Sequence, residues 1–388
     1  MMASLCAIVT DVSAAEATRR ALDREGLLDL KARAFSHDGA VALPLSASAQ
    51  DLAVNGALSW SGGRLQTSLL MPPQRRGASP LRAAFDGALA QLTAPPDTVA
   101  ALQAVDSLPK KWEKLGDCVL FAARGIFDEG TLAGGALRSL TLAQQAELWA
   151  ALASALGAKR LGVQACIEES LHRKSRVQLI WPLAGADGWT VHRENAIVYG
   201  LDVTRSMFSS GNGTEKARVA GFRCEGETVV DLYAGIGYFT LNYLVHAGVS
   251  HLHACEWDED ALCALRHNLQ ANNVAERCTV HPGDNAQCLP ALAGVAHRVN
   301  LGLIPSSEAG WPVAIGVLRP EGGVLHVHAN VSSVDGKEAE WAAAMLARMQ
   351  ELIAAAGHGW TARLLHIAHV KWYAPKIRHV VADVECRA

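Results

Sequence analysis

The second half of the chain alternates between two hydrophobic periods. Short apolar runs at 228–233, 251–256, 277–281, 298–304 and 323–329 read as parallel strands buried on both faces. Between and after them, 238–248, 258–272, 308–318 and 335–356 carry apolar residues at helical spacing. Two more strands, near 362–370 and 379–385, lie close together without a long crossover, as an antiparallel hairpin does. Seven strands with that ending predict a Rossmann-like α/β domain over 201–388.

The first half is less regular. Residues 5–9 and 40–45 read as short strands and 13–25 as a helix. The stretch Pro72-Pro-Gln-Arg-Arg-Gly-Ala-Ser-Pro80 breaks every period and reads as a loop or linker. An alanine-rich helix follows to about Leu92, and Pro95-Pro96 stops it. Further on, 117–121, 177–181 and 196–199 are strand-like and 144–156 is helical. The expected organisation is an N-terminal α/β unit over 1–95, a small α/β domain over 96–200, and the Rossmann-like domain over 201–388.

Candidate chemistry concentrates where the first strand of the large domain meets its helix. The strand is apolar or β-branched except for Asp231, and Gly235 and Gly237 follow it. Glycines there let the backbone approach a ligand with no Cβ in the way. Asp231, near the strand end, is placed to accept from a cationic amine. A dinucleotide site would want a third glycine at 240, where Thr240 stands. The turn is therefore wrong for a pyrophosphate and suits S-adenosylmethionine (SAM), which has an ammonium and no phosphate. Taken alone, D-x-x-x-G-x-G is equally the pattern of an ordinary strand, turn and helix.

Two later strand ends shift that balance. Glu256 closes the second strand 19 residues past Gly237, near the spacing at which an acid holds ribose hydroxyls. The third ends in Asp284, which suits an adenine amino group, and Asn285, which suits the ring edge. Asp258, Asp284 and Asn285 would each also serve as helix N-caps. Together, polar tips at the carboxyl ends of three parallel strands converge on one crevice. Upstream, the polar loop 209–214 leads into a helix carrying Lys216 and Arg218. Lys216 either reaches back to the SAM carboxylate as a point cation or belongs to a plain capped helix.

Charge and cysteine content narrow the partners. A net charge of −3 counts against a nonspecific nucleic-acid binder, which is usually basic overall. Basic residues nevertheless cluster at Lys110, Lys111 and Lys114, and at His172, Arg173, Lys174 and Arg176. These make either a solvated surface or a face that tracks phosphates. The nine cysteines are odd in number and lack C-x-x-C spacing, so neither a disulfide framework nor a zinc site is expected. No apolar run is long enough to span a membrane, and the N-terminus lacks the features of a signal peptide. The expected location is the cytoplasm. On the fifth strand His326, His328 and Asn330 share a face. They either line the pocket or are hydrogen-bonded within a helix-covered sheet; as two histidines without a third ligand they make a poor metal site.

Eight stretches carry a family resemblance: Asp202-Val-Thr-Arg-Ser-Met-Phe-Ser-Ser-Gly-Asn-Gly-Thr-Glu-Lys216, Asp231-Leu-Tyr-Ala-Gly-Ile-Gly-Tyr-Phe-Thr-Leu241, His253-Ala-Cys-Glu-Trp257, Gly283-Asp-Asn285, Leu303-Ile-Pro-Ser-Ser-Glu308, Trp311-Pro312, His326-Val-His328 with Asn330, and Val370-Lys-Trp-Tyr-Ala-Pro375. Together they closely resemble the tRNA wybutosine-synthesizing protein 2 family, from about residue 105 to the C-terminus and more weakly before it. The resemblance implies a SAM-dependent transferase without a metal or an obligate protein partner. Its substrate would be tRNA(Phe) carrying 4-demethylwyosine at position 37. The 3-amino-3-carboxypropyl group of SAM would pass to the C7 carbon of that base, with release of 5′-methylthioadenosine. The implied SAM contacts are Ser209, Lys216, Glu256, Asp284 and Asn285, and Ser209 rests on the resemblance alone. Tyr233 and Trp257, inside the same motifs, join Asp231, Gly235 and Gly237 as expected cofactor-binding residues. Ser306, Ser307, His328 and Asn330 are candidates for binding the substrate, although both serines also suit capping of the next helix. Lys371, Tyr373 and Lys376 are candidates for touching tRNA, as is the 1–95 unit; Trp372 and Tyr373 equally suit a core. The residues do not identify a catalytic base.

The related tRNA guanine-N1 methyltransferases carry Asn-Leu-Pro after the fourth strand. Here Leu301-Gly-Leu-Ile-Pro-Ser-Ser307 puts Leu303 in the Asn place, and Tyr238 stands where those relatives have proline. Both departures count against methyl transfer to a ring nitrogen. Asn300 lies three residues too early to substitute and is assigned no role. The alternatives are a SAM-dependent tRNA guanine-N1 methyltransferase and a non-catalytic tRNA-binding scaffold.

Overall fold

The computed structural model describes residues 187–388 throughout, and between 80 and 187 all but 105–107, 110–111, 129, 165–174, 184 and 186. Before residue 80 it describes chiefly 4–9, 15–25, 35–37, 40–46 and 67–70. The expected loop over 72–79 and the basic residues Lys110, Lys111, His172, Arg173 and Lys174 lie outside the described residues. The chain divides into two compact units, Met1–Ser79 and Pro80–Ala388.

The first unit contains β1 (Ser4–Val9), α1 (Ala15–Arg24), β2 (Phe35–His37), β3 (Ala40–Pro44) and β4 (Thr67–Leu70). Its strands form an antiparallel sheet in the order β2-β3-β1-β4. Leu22, Leu43 and Leu45 are buried in it.

The second unit begins with α2 (Pro80–Gln91), α3 (Pro96–Gln103), β5 (Trp112–Leu115), β6 (Cys118–Ala122), α4 (Leu132–Ser139), α5 (Leu142–Ala155), β7 (Arg160–Gln164) and β8 (Val177–Trp181). Pro95-Pro96 does more than end α2. Pro96 opens α3 at a position where the missing N–H has no helical partner to lose. A reciprocal capping box, Thr141 with Gln144, starts α5. Phe85, Leu89, Phe121, Leu148, Trp149 and Leu152 fill the core between these helices and the sheet β5-β6-β7-β8.

A hairpin of β9 (Trp189–Glu194) and β10 (Ile197–Asp202) follows. Its two-residue turn puts Asn195 and Ala196 at φ 51° and 59°, which matches the twist of the flanking strands. The rest of the unit comprises α6 (Gly213–Ala220), β11 (Thr228–Asp231), α7 (Thr240–Val245), β12 (His251–Glu256), α8 (Glu259–Ala271), β13 (Cys278–Pro282), α9 (Asn285–Cys288), β14 (Arg298–Leu301), α10 (Trp311–Val317), β15 (Gly323–Ser332), α11 (Lys337–Ala355), β16 (Thr361–Ala374) and β17 (Ile377–Arg387). The hairpin docks on α8 through two asparagines. Asn268 Oδ1 accepts from the Gly200 N–H at 2.6 Å, and Asn272 exchanges two bonds with the Val198 backbone. Residues before and after position 200 are thus joined within one unit.

All seven strands expected over 201–388 are present, in the order β13-β12-β11-β14-β15-β17-β16, and only β17 runs antiparallel to its neighbours. Alternation divides the core between the two faces. Val229 packs with Leu241 and Leu265 on one side, while Val230 packs with Trp311 and Met345 on the other. The strand order reverses between β11 and β14, and at such a switch point a crevice opens above the carboxyl ends of the strands.

Candidate active site

The glycine turn after β11 is locked from below. Asp231 is fully buried; its carboxylate accepts from Thr240 Oγ1 at 2.7 Å and from Asn300 Nδ2 at 2.9 Å. Burial raises its pKa, against the pull of these hydrogen bonds. Asp231 therefore does not face the crevice, contrary to the expectation that it accepts from a ligand amine. Thr240, which replaces the third glycine of a dinucleotide site, closes the same lock. Gly235 sits at φ 56°, and a Cβ there would lie 2.7 Å from the Tyr238 ring. Gly237, at φ 101°, packs against Leu241 and Leu265 rather than opening on the crevice.

Above the turn lies a cavity of about 630 Å³. It is walled by the 205–212 loop, the turn, the ends of β12 and β13, the Gly302–Ile304 segment, and Lys371, Tyr373 and His379 of the last hairpin. Glu256 closes β12. One of its oxygens accepts from the Gly235 N–H at 2.7 Å; the other accepts from the N–H groups of Trp257 and Asp258, both at 2.9 Å. Burial pushes its pKa up, and the three N–H donors oppose the shift. Asp284 caps α9 through Ala286 N–H, and Asn285 Nδ2 donates to the Leu232 carbonyl at 3.3 Å. The Tyr233 phenol, raised by burial, is bonded to Asn285. Trp257 lies beside them, 48% exposed.

Of the residues expected from sequence, the cavity brings together Ser209, Tyr233, Gly235, Glu256, Trp257, Asp284 and Asn285. Lys216 is one layer behind the wall. It is 1% exposed, with Nζ 2.7 Å from a Glu194 oxygen and 4.3 Å from the centre of the Phe208 ring. Burial lowers its pKa and Glu194 partly restores it.

Of the four substrate-binding candidates, Ser307, His328 and the Asn330 amide are buried, and Ser306 is exposed. Ser306 Oγ accepts from the Glu308 N–H at 3.2 Å, but neither serine makes a side-chain N-cap bond to the helical turns that follow, contrary to the capping expectation; the buried Ser307 donates to the His328 carbonyl. His328 Nδ1 is 3.0 Å from His379 Nε2, and only His379 reaches the cavity wall. Burial lowers the His328 pKa well below the usual range. His326 pairs with Asp383 at 2.7 Å, and Asp383 also holds Arg218. Asn330 keeps its backbone N–H on Pro305, and its buried amide has no hydrogen-bond partner among the described residues.

Sequence reasoning missed the apolar wall of Phe208, Ile236, Phe239 and Ile304. It weighed Leu303 and Tyr238 only as departures, and both line the cavity. Gly211 lines the cavity as well, and a Cβ there would meet the Lys371 side chain at 2.9 Å, a constraint that only the fold reveals. Among the described residues no group of three or more His, Cys, Asp or Glu is arranged to hold a metal, and no helix is long and apolar enough to cross a membrane.

A switch-point cavity of this size, with an acid and an acid–amide pair at the tips of its second and third strands, is that of a SAM-dependent transferase with a Rossmann-like fold. A TRM5/TYW2 methyltransferase domain matches residues 190–348. The chain is 45% identical over 309 residues to the tRNA wybutosine-synthesizing protein 2 homolog of Danio rerio, covering 72% of each. It is 47% identical over 283 residues to the Arabidopsis thaliana tRNA wybutosine-synthesizing protein 2/3/4, covering 73% of this chain but only 27% of that longer protein. The solved structure of P. horikoshii TYW2 in complex with MeSAdo superposes with a TM-score of 0.60 at 25% identity, covering 79% of this chain and 99% of that one. The chain belongs to the tRNA wybutosine-synthesizing protein 2 family.

Proposed function

We propose that this chain transfers the 3-amino-3-carboxypropyl group of SAM to C7 of 4-demethylwyosine at position 37 of tRNA(Phe), releasing 5′-methylthioadenosine. The observation that carries the reading is at the end of β14. Leu303, an apolar residue, faces the cavity, and the nearby amide of Asn300 is committed to Asp231. No amide from that segment is offered to a target base, as methyl transfer to a guanine nitrogen would want. The family's name and the neighbour solved with MeSAdo support the same reading.

The cavity fits SAM, since its volume lies within the range of cofactor sites and its polar groups stand at strand tips. Glu256, preorganised by three N–H groups, takes the ribose hydroxyls. Asp284 and Asn285 address the adenine edge, and Trp257, Tyr233 and the glycine turn enclose the nucleoside. Ser209 and Lys216 hold the amino-acid end, Ser209 from the cavity wall and Lys216 from behind Phe208. The bound cofactor supplies the electrophilic carbon next to its sulfonium. The protein's task is to place that carbon, rather than the methyl group, in line with the acceptor at contact distance. The acceptor carbon forms the new bond, the carbon–sulfur bond breaks, and the acceptor then loses its proton. The enzyme works in the cytoplasm without an obligate protein partner.

Product analysis tests this. The protein is incubated with SAM and tRNA from cells lacking this modification step. Methylthioadenosine together with an aminocarboxypropyl mass gain on the nucleoside is expected. S-adenosylhomocysteine with a methyl gain would instead make the chain a methyltransferase, and SAM binding with neither product would point to a scaffold.

A further inference from the structure

We propose that Trp372, backed by Arg378, is a stacking platform for a nucleobase next to the modified one. The tRNA would then be held by a base outside the cavity as well as by the target base inside it. The proposal rests on the tRNA reading above.

Trp372 lies near the tip of the β16–β17 hairpin and is 59% exposed; its neighbour Tyr373 is 51% exposed. Neither belongs to a core, which was one of the two expectations from sequence. Tyr373 borders the large cavity. Trp372 borders a separate hollow of about 250 Å³, lined also by His369, Val370, Lys371 and Arg378. Lys371 borders both, so a strand leaving the cavity past this lysine arrives at Trp372.

The platform is built in advance. The Arg378 guanidinium sits 4.2 Å from the centre of the Trp372 ring and covers one of its faces. Arg378 Nη1 donates to His369 Nδ1 at 3.1 Å, which requires that nitrogen to be unprotonated. His369 Nε2 then donates to the Glu338 carboxylate of α11 at 2.8 Å. This chain of contacts fixes the arginine against the indole, and Trp372 still keeps more than half of its surface exposed. Register shifts at His369/Lys371 and Trp372/Ala374 interrupt the ladder on both sides of the tryptophan, and such bulges re-aim side chains at a sheet edge. An exposed indole stacked on a fixed cation, beside a lysine, matches a base and its phosphate. An apolar protein partner would not select two cations there.

The test compares wild type with Trp372→Ala and Trp372→Phe. Equilibrium binding of the unmodified-precursor tRNA at fixed salt and SAM affinity are measured together. Trp372→Ala should weaken tRNA binding about tenfold or more and Trp372→Phe less, with SAM affinity unchanged. A tRNA made abasic at position 36 or 38 should lose a similar factor with wild type at one of those positions, and little more with Trp372→Ala. Wild-type tRNA affinity in Trp372→Ala, additive losses with the abasic tRNAs, or a parallel fall in SAM affinity would overturn the platform. Absence of methylthioadenosine from the wild-type reaction would instead remove the transfer reading, and the binding comparison would still decide on Trp372.

Discussion

Asn300 donates to Asp231 across the adjacent strands β14 and β11 at 2.9 Å, and both side chains are completely buried. This bond joins two residues that the sequence presented as unrelated, one a ligand candidate and the other without a role. It makes the switch point rigid beneath the cofactor cavity.

Asn300→Ala removes the donor to one oxygen of a buried carboxyl and leaves Thr240 on the other. The expected loss is about 1–3 kcal/mol of unfolding free energy, read from the urea midpoint. Asn300→Asp should lose more at pH 7 than at pH 5, because two carboxyls at this distance cannot both ionise and one must bind a proton.

Gly235→Ala should fold less stably by about 1–2 kcal/mol, the cost of a left-handed alanine, and should bind SAM more weakly. The added methyl meets the Tyr238 ring and pushes the turn away from Glu256. Calorimetric titration with SAM reads the second effect.

Lys216→Met separates two roles. If Lys216 grips the SAM carboxylate, SAM affinity falls about tenfold or more, the scale of one charged hydrogen bond. Affinity for methylthioadenosine, which lacks that carboxylate, stays near wild type. Equal losses for both ligands would mean that Lys216 acts only through its packing on Phe208 and its pair with Glu194.

Asp383 is held by His326 and Arg218, and their pull outweighs burial to keep its carboxyl well below the usual range. The folded form is thus the stronger acid. Its contribution to stability is complete above the unfolded carboxyl's pKa of about 4 and is lost as the pH falls below that toward the folded value. Asp383→Ala should cost about 3–5 kcal/mol at pH 7. Its deficit relative to wild type should narrow below about pH 4, as denaturant titrations across pH would show.

The large sheet was legible because its strands are short runs rich in valine and leucine set between helical stretches, and the pattern survives the buried polar residues Asp231, Asn300, His326 and His328 that β11, β14 and β15 carry. The strand Trp112–Leu115 and the hairpin strand Trp189–Glu194 escaped because polar side chains on their open faces break up the apolar pattern. Glu256, Asp284 and Asn285 could be placed on the cavity from sequence, since the end of a parallel strand at a switch point opens on the crevice whatever packs behind it.

Sequence by itself thus determined the Rossmann-like domain, its family and the polar rim of its cofactor cavity, all set by periodicity and by residues close in the chain. Only the tertiary structure decided which way the remaining side chains turn. Asp231 is claimed by an asparagine 69 positions away, Lys216 by Glu194 of a preceding hairpin, and His328 by His379 of the last strand. A buried polar group takes whichever partner the fold brings to it, because leaving it unpaired costs more than a typical hydrogen bond returns. Local sequence holds no record of that choice.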